Sequence, residues 1–208
     1  EIAKISANYK NRFNVNDPYF VESPAEELSL ILVIPSYKEP NISFTLVSLC
    51  HCIAPKGMVE LIVVINAPEN ASSDVLEMNR HTISQIRSRE KQLVENRISL
   101  KLIQEESLPK KFAGAGLARK IGMDEALQRW TLAKKDGPII CLDADCTVSK
   151  DYLIAAEKAF SNPLTQLAHY QFKHLFLQEK DENLKNGIVQ YELHLRYHIQ
   201  GLKCAGYP

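Results

Sequence analysis

The chain has 208 residues, enough for one domain with a substantial core. Lys+Arg and Asp+Glu number 25 each, so the net charge is zero, which gives no support for nucleic acid as a partner. No apolar run approaches the ~20 residues of a membrane helix, and no signal-peptide pattern opens the chain. Five cysteines, an odd number without zinc-type spacing, predict reduced thiols and a cytoplasmic protein. The first residue is Glu rather than Met, which reads as a fragment or a processed chain.

Residues 1–27 are polar, with Asn-Asp-Pro at 16–18 and Ser-Pro at 23–24, and read as an arm lying on a single domain that spans 28–208. Residues 28–34 are a first strand, closed by Pro35. A helix follows, its apolar stripe Ile42, Leu46, Leu49 and Ile53. Residues 59–65 are a second buried strand, stopped by Asn66-Ala67-Pro68. A longer polar helix runs over about 72–93, and 98–103 is an alternating third strand. A glycine-bearing turn then opens a helix with the stripe Met123, Ala126, Leu127 and Trp130. Residues 139–142 form a fourth strand, followed by a helix over about 150–160. The segment 167–172 reads as a fifth strand. The last helix, about 181–202, carries the stripe Leu184, Ile188, Tyr191, Leu195, His198 and Leu202.

Strands alternating with helices predict an α/β fold: an open, mainly parallel twisted sheet with helices on both faces. With the first strand central, the second and third on one side and the fourth on the other, the topological switch point lies between strands one and four. Residues 35–39 and the pair Asp143 and Asp145 border that crevice, with Asn66 beside them.

Asp143 and Asp145 stand one residue apart, directly after a buried strand. In extended chain they point the same way. Converging carboxylates repel unless a cation lies between them or one is protonated. A hard divalent cation, Mg²⁺ or Mn²⁺, takes one or two carboxylates and fills its other positions with phosphate oxygens and water. The alternative is that Asp143 caps a turn and Asp145 is solvated.

The turn Gly114-x-Gly116-x-x-Arg119 departs from a dinucleotide fingerprint, which has a third glycine where Arg119 stands and follows the first strand. It still directs a helix N-terminus toward an anion, with Lys110, Lys111 and Arg119 adding positive charge. An ordinary solvated basic helix start is the competing reading. His194 and His198 are four apart on one helix, but His198 continues an apolar stripe, which favours a partly buried histidine over a metal ligand. Cys141 and Cys146 read as small packing residues at a strand end. Asp143-Ala-Asp145-Cys-Thr147-Val148 also fits the opening motif of haloacid-dehalogenase-type phosphohydrolases, where the first Asp is the nucleophile. That motif here comes late, and the only aspartates that follow it, Asp151 and Asp181, do not form a pair.

Four blocks together resemble the family-2 glycosyltransferases of the GT-A fold. Leu30-Ile-Leu-Val-Ile-Pro-Ser-Tyr-Lys-Glu39 is similar to their opening strand, and Leu61-Ile-Val-Val-Ile-Asn66 to their second. Lys111-Phe-Ala-Gly114-Ala-Gly116-Leu-Ala-Arg119-Lys-Ile-Gly122 resembles their glycine-rich helix start, and Ile140-Cys-Leu-Asp143-Ala-Asp145 their metal-binding Asp-x-Asp. The blocks keep the family's order and cover about 28–160. The resemblance implies transfer of a sugar from a nucleotide-diphospho-sugar donor to a hydroxyl of an unknown glycan or lipid acceptor, usually with inversion. It implies that Pro35, Ser36, Tyr37 and Glu39 line the nucleotide pocket, with Asn66, Lys111, Gly114 and Arg119 beside it. Asp143 would lie near the ribose and Asp145 on Mn²⁺ or Mg²⁺. Asn66 stands where the family often has an acid, and no residue matches the family's general base, so the chain reads as the donor half, truncated on the acceptor side. The rival from another class is a nucleotide-sugar-binding domain without catalysis. Glu192, His194 and His198 are the first candidates if a base lies within the chain.

Overall fold

The computed structural model of the chain describes residues 2–13, 15–174 and 180–206. Two compact units divide it, Glu1–Gln166 and Leu167–Pro208. The first contains α1 (Ile2–Phe13), β1 (Leu28–Ser36), α2 (Ile42–Cys50), β2 (Met58–Pro68), α3 (Ser73–Glu95), β3 (Ile98–Leu108), α4 (Ala115–Ala133), β4 (Ile139–Cys141) and α5 (Tyr152–Phe160).

The four strands form one sheet in the order β3-β2-β1-β4, every neighbouring pair parallel. β1 is buried on both faces, which explains its unbroken apolar run. Leu30, Leu32 and Ile34 pack with α2, α3 and α5, whereas Ile31 and Val33 pack with α4 on the opposite face. The helices therefore cover both faces, and the chain reverses direction across the sheet between β1 and β4. Each large apolar side chain taken fully out of water contributes about 1.5–3 kcal/mol.

β1 runs through Pro35 to Ser36 instead of stopping at the proline. Proline lacks the N–H that a central strand normally uses. Here β4 pairs only with Ile31, Leu32 and Val33. Ile31 donates its N–H to Pro138 C=O and Val33 C=O accepts from Leu142 N–H, so odd-numbered residues of β1 face β4. The missing N–H of Pro35 thus falls on the side where the neighbouring strand has already ended.

Glycine is required where α4 meets the sheet. A Cβ on Gly122 would come within 2.3 Å of Val33 Cγ1. Its absence lets the α4 backbone lie directly on β1.

The expected stripe on α4 holds at Ala126 and Trp130 and fails at Met123. Met123 is exposed, while Ala118, Ile121, Gly122 and Trp130 are buried. The polar residues Asp124, Glu125, Gln128 and Arg129 are buried as well, because residues 2–27 cover them. Tyr9 Oη donates to Asp124 at 3.0 Å, Lys10 Nζ to Gln128 at 2.7 Å and Tyr19 N–H to Glu125 Oε2 at 2.9 Å. The guanidinium of Arg129 grips Glu60 on β2 through two bonds of 2.8 and 2.6 Å, and Nη1 donates to Glu22 C=O at 2.5 Å.

Glu125 Oε1 has no partner among the described residues. Burial raises the Glu125 carboxyl above its ordinary 4.5, partly offset by the Tyr19 and Phe20 N–H groups and by Arg129. The folded chain therefore holds this proton to a higher pH than the unfolded chain does. Between the two pKa values the native state binds more protons, so this group's contribution lowers stability as pH rises above about 4.5. Glu125→Gln removes that dependence. Urea midpoints of the two proteins should diverge as pH climbs from 4 to 8, with the parent losing ground; a constant difference contradicts the assignment.

Three further expectations are corrected. α2 ends at Cys50, which leaves Ile53 exposed past its end. The segment 167–172 is irregular, not a strand, and Leu167 and Phe172 are exposed. In the second unit α6 (Glu182–Cys204) begins with Asp181 accepting from Asn183 N–H at 2.9 Å, and none of its residues is buried. His194 and His198 are accordingly exposed instead of partly buried. No described helix is long and apolar enough to cross a membrane.

Candidate functional site

Ligands of open α/β sheets bind beyond the carboxyl ends of the strands, where the order reverses. Here that crevice is bordered by the ends of β1 and β4. The carboxylate pair begins two residues past β4, in a turn closed by Cys146 N–H donating to Asp143 C=O at 3.2 Å. The pair is thus displayed by a turn and not by extended chain. Asp143 and Asp145 are exposed, and Ala144 between them is buried. Thr45 of α2, fully buried, donates its hydroxyl to Ala144 C=O at 2.6 Å and ties the turn to the sheet's other layer. Ser48 Oγ accepts from Val148 N–H at 3.1 Å and fixes the far side of the same loop.

Arg119, in the second turn of α4, donates from Nη2 to Asp143 Oδ1 at 2.6 Å. Both side chains are over a third exposed, so the pair is worth about 1 kcal/mol or less in stability. Its interest is positional, since it brings a guanidinium to the carboxylate pair. Gly114 caps α4 at φ +145°, a conformation that favours glycine. Lys110 and Lys111 are exposed in the preceding turn, and Lys111 lies over the Phe112 ring. The N-terminal end of α4, with its partial positive charge, belongs to the same cationic edge.

Ser36 and Asn66 are buried at the carboxyl ends of β1 and β2. Asn66 Nδ2 donates to Ser36 C=O at 2.8 Å, joining the two strand ends. Ser36 Oγ and Asn66 Oδ1 have no partner among the described residues. Tyr37 is 46% exposed at the start of the loop that leaves β1. Lys38 adopts φ +47°. Glu39 turns its carboxylate onto Asn41 N–H at 2.8 Å.

The two aspartates suit a hard cation that draws one or two protein carboxylates and completes its shell with ligand oxygens and water. No group of three His, Cys, Asp or Glu side chains among the described residues makes a closed cage. Soft-metal competition is weak: partial desolvation, with repulsion from Asp145 and Asp143, pushes the Cys146 thiol up to about 11. All five cysteines are free, and Cys141 and Cys146 are exposed instead of packed. In the second unit, Glu192 accepts from the His174 backbone N–H at 2.6 Å and from its ring. These bonds, the backbone one foremost, hold its carboxyl below the usual range, which makes it a weak base.

Sequence reasoning missed Thr45, Asn79, Thr82 and Gln85, which hold the loops of the crevice. They looked like ordinary polar positions on helices, and no local pattern separates a buried hydroxyl from a solvated one.

No family model matches the chain, and no curated protein does so either. The chain is similar to solved structures of S. aureus TarS. With TarS 1–349 it shares 21% identity at a TM-score of 0.44, over 64% of this chain and 32% of that one. With the complex of TarS 1–349 and UDP-GlcNAc the figures are 20%, 0.44, 64% and 31%. With the UDP complex they are 20%, 0.42, 64% and 32%. The chain therefore spans about a third of the length of these structures.

Proposed function

We propose that the chain is the donor-binding part of a metal-assisted glycosyltransferase, which moves a sugar from a nucleoside diphosphate to an acceptor hydroxyl with inversion. The observation that carries this reading is the carboxylate turn past β4, braced by Thr45 and paired with Arg119, facing the end of β1 across the switch point. In such a transfer the acceptor oxygen attacks the anomeric carbon, and the bond from that carbon to the phosphate oxygen breaks. The electron pair leaves with the nucleoside diphosphate, and the hydroxyl proton passes to a general base, a role that no described residue is assigned.

Charge sorts the two ends of the donor. The diphosphate belongs near Arg119, Lys110, Lys111 and the N-terminus of α4, where cations and helix dipole gather. The nucleoside belongs toward Ser36, Tyr37 and Glu39, because the cleft beside Lys38 is lined by Asp74, Glu77 and His81 and disfavours a second polyanion. Asp145, with Asp143 beside it, would hold Mn²⁺ or Mg²⁺. The bound cation would neutralise charge developing on the leaving diphosphate. Arg119 moves from Asp143 toward the phosphates as the donor enters, and Thr45 keeps both carboxylates in place meanwhile. Asn66 is proposed to act on the base indirectly, through the Ser36 carbonyl that it holds.

The test is product analysis with a panel of UDP-, GDP- and dTDP-sugars, UDP-GlcNAc among them, in Mn²⁺. The expected result is nucleotide-selective binding, with release of nucleoside diphosphate when an acceptor and a base are present. Release of inorganic phosphate from a generic phosphatase substrate would favour the phosphohydrolase reading instead. Binding to every donor without selectivity would contradict a site built for one nucleotide.

A further inference from the structure

Asn79, Thr82 and Gln85 are three apart on α3 and so stand in one row on a helix face. Their polar atoms go to consecutive backbone groups of the loop after β1. Asn79 Oδ1 accepts from Lys38 N–H at 3.0 Å, and Thr82 Oγ1 donates to Glu39 C=O at 2.7 Å. Gln85 Nε2 donates to Pro40 C=O at 2.9 Å and its Oε1 accepts from Ser43 N–H at 3.2 Å. Asn79 and Thr82 are fully buried. The amide of Asn79 also donates to Asn66 C=O at 3.2 Å and to Glu106 Oε1 at 3.1 Å, so one side chain connects the ends of three strands.

Packing alone does not call for this row. α3 already joins the core through Val75, Ile86 and Leu93. The row acts on a segment that contains Lys38 at φ +47°, a conformation strained for any residue with a Cβ. A strained loop persists only when its surroundings over-determine it, and such loops gather where a ligand is received.

We propose that Asn79, Thr82 and Gln85 are positioning residues that hold the loop of residues 37–41 in the shape that receives the nucleoside of a nucleoside diphosphate. The proposal rests on the donor-binding reading above and adds to it residues that lie outside every motif of the crevice. A loop fixed beforehand loses less freedom on binding, so affinity falls when the row is broken even though no ligand contact is removed. One hydrogen bond of this kind is worth about tenfold in affinity.

The experiment compares the parent with Thr82→Val, Thr82→Ser, Asn79→Ala and the exposed control Lys91→Ala. UDP and GDP are titrated by calorimetry in Mn²⁺, melting temperatures are recorded, and exchange of the Lys38 amide is followed without nucleotide. Thr82→Val should weaken the preferred nucleotide about tenfold. Thr82→Ser should restore the affinity while melting close to Thr82→Val. Asn79→Ala should speed Lys38 exchange, and Lys91→Ala should change nothing. If Thr82→Val binds as the parent does, or Ser fails to restore binding, the positioning role is wrong while the donor reading stands. If the parent binds neither nucleotide, the donor reading fails and takes the ligand part of this proposal with it. Unchanged Lys38 exchange in Asn79→Ala overturns the loop-holding part whatever the ligand result. Should Asn79→Ala not fold, the Thr82 pair decides alone.

Discussion

Glu60→Gln is expected to destabilise the fold by about 3–5 kcal/mol. Glu60 and Arg129 are both buried, and the guanidinium receives two carboxylate oxygens at 2.8 and 2.6 Å. Burial by itself pushes the Arg129 guanidinium toward neutrality, and the Glu60 carboxylate foremost, with Glu22 and Glu125, more than reverses this. The amide of glutamine fits the space but brings no charge, so a cation is left in the interior without its counterion. With a urea m-value of about 2 kcal/mol/M, the midpoint should fall by roughly 2 M. Replacing both partners by Met and Leu should recover most of the loss, because a buried pair exchanged for apolar volume is often neutral or stabilising. A fall below about 1 kcal/mol for Glu60→Gln would mean that water or Glu22 compensates the guanidinium.

Asp145→Asn should weaken nucleoside diphosphate binding at least about 10–100-fold in Mn²⁺, and little in EDTA, because a first ligand should cost no less than the outer-shell partners of a metal do. Asp143→Asn separates the two carboxylates. It frees Arg119 from its 2.6 Å ion pair, so in EDTA the diphosphate should bind this variant slightly better than the parent. Calorimetric titration of parent and both variants, with and without metal, reads all of these effects. Equal affinity of Asp145→Asn and parent in saturating Mn²⁺ would remove Asp145 as a ligand.

The sheet was legible because strands buried on both faces write themselves as apolar runs, and residues 30–34 and 61–65 do so without interruption. Alternation of strand and helix then restricts the order, and the arrangement posed from it, with β1 between β2 and β4, is the one observed. Helix α4 was misread because its buried face carries Asp124, Glu125, Gln128 and Arg129, which composition assigns to solvent. Distant partners make that burial tolerable: Tyr9, Lys10, Tyr19 and the Glu22 carbonyl from the N-terminal arm, and Glu60 on β2 for Arg129. Residues 167–172 show the reverse error: an apolar segment read as a strand is irregular and pairs with no strand among the described residues. At the crevice, Asp143, Asp145, Arg119 and Ser36 could be named from the motifs because their spacing is local. Thr45, Asn79 and Thr82 could not, since each acts on backbone between 41 and 99 positions away, and backbone partners leave no trace in residue type.

A nucleoside diphosphate and its cation are expected to bind at the β1–β4 switch point. The most direct test of this is a crystal of the chain grown with Mn²⁺ and the best-binding nucleoside diphosphate of the panel, with anomalous scattering recorded for manganese. A manganese peak is expected at about 2.0–2.2 Å from an Asp145 carboxylate oxygen, with the diphosphate on the ion and the base toward Ser36 and Tyr37. Nucleotide bound away from this crevice, or bound within it with no manganese at Asp145, would overturn the proposed donor site.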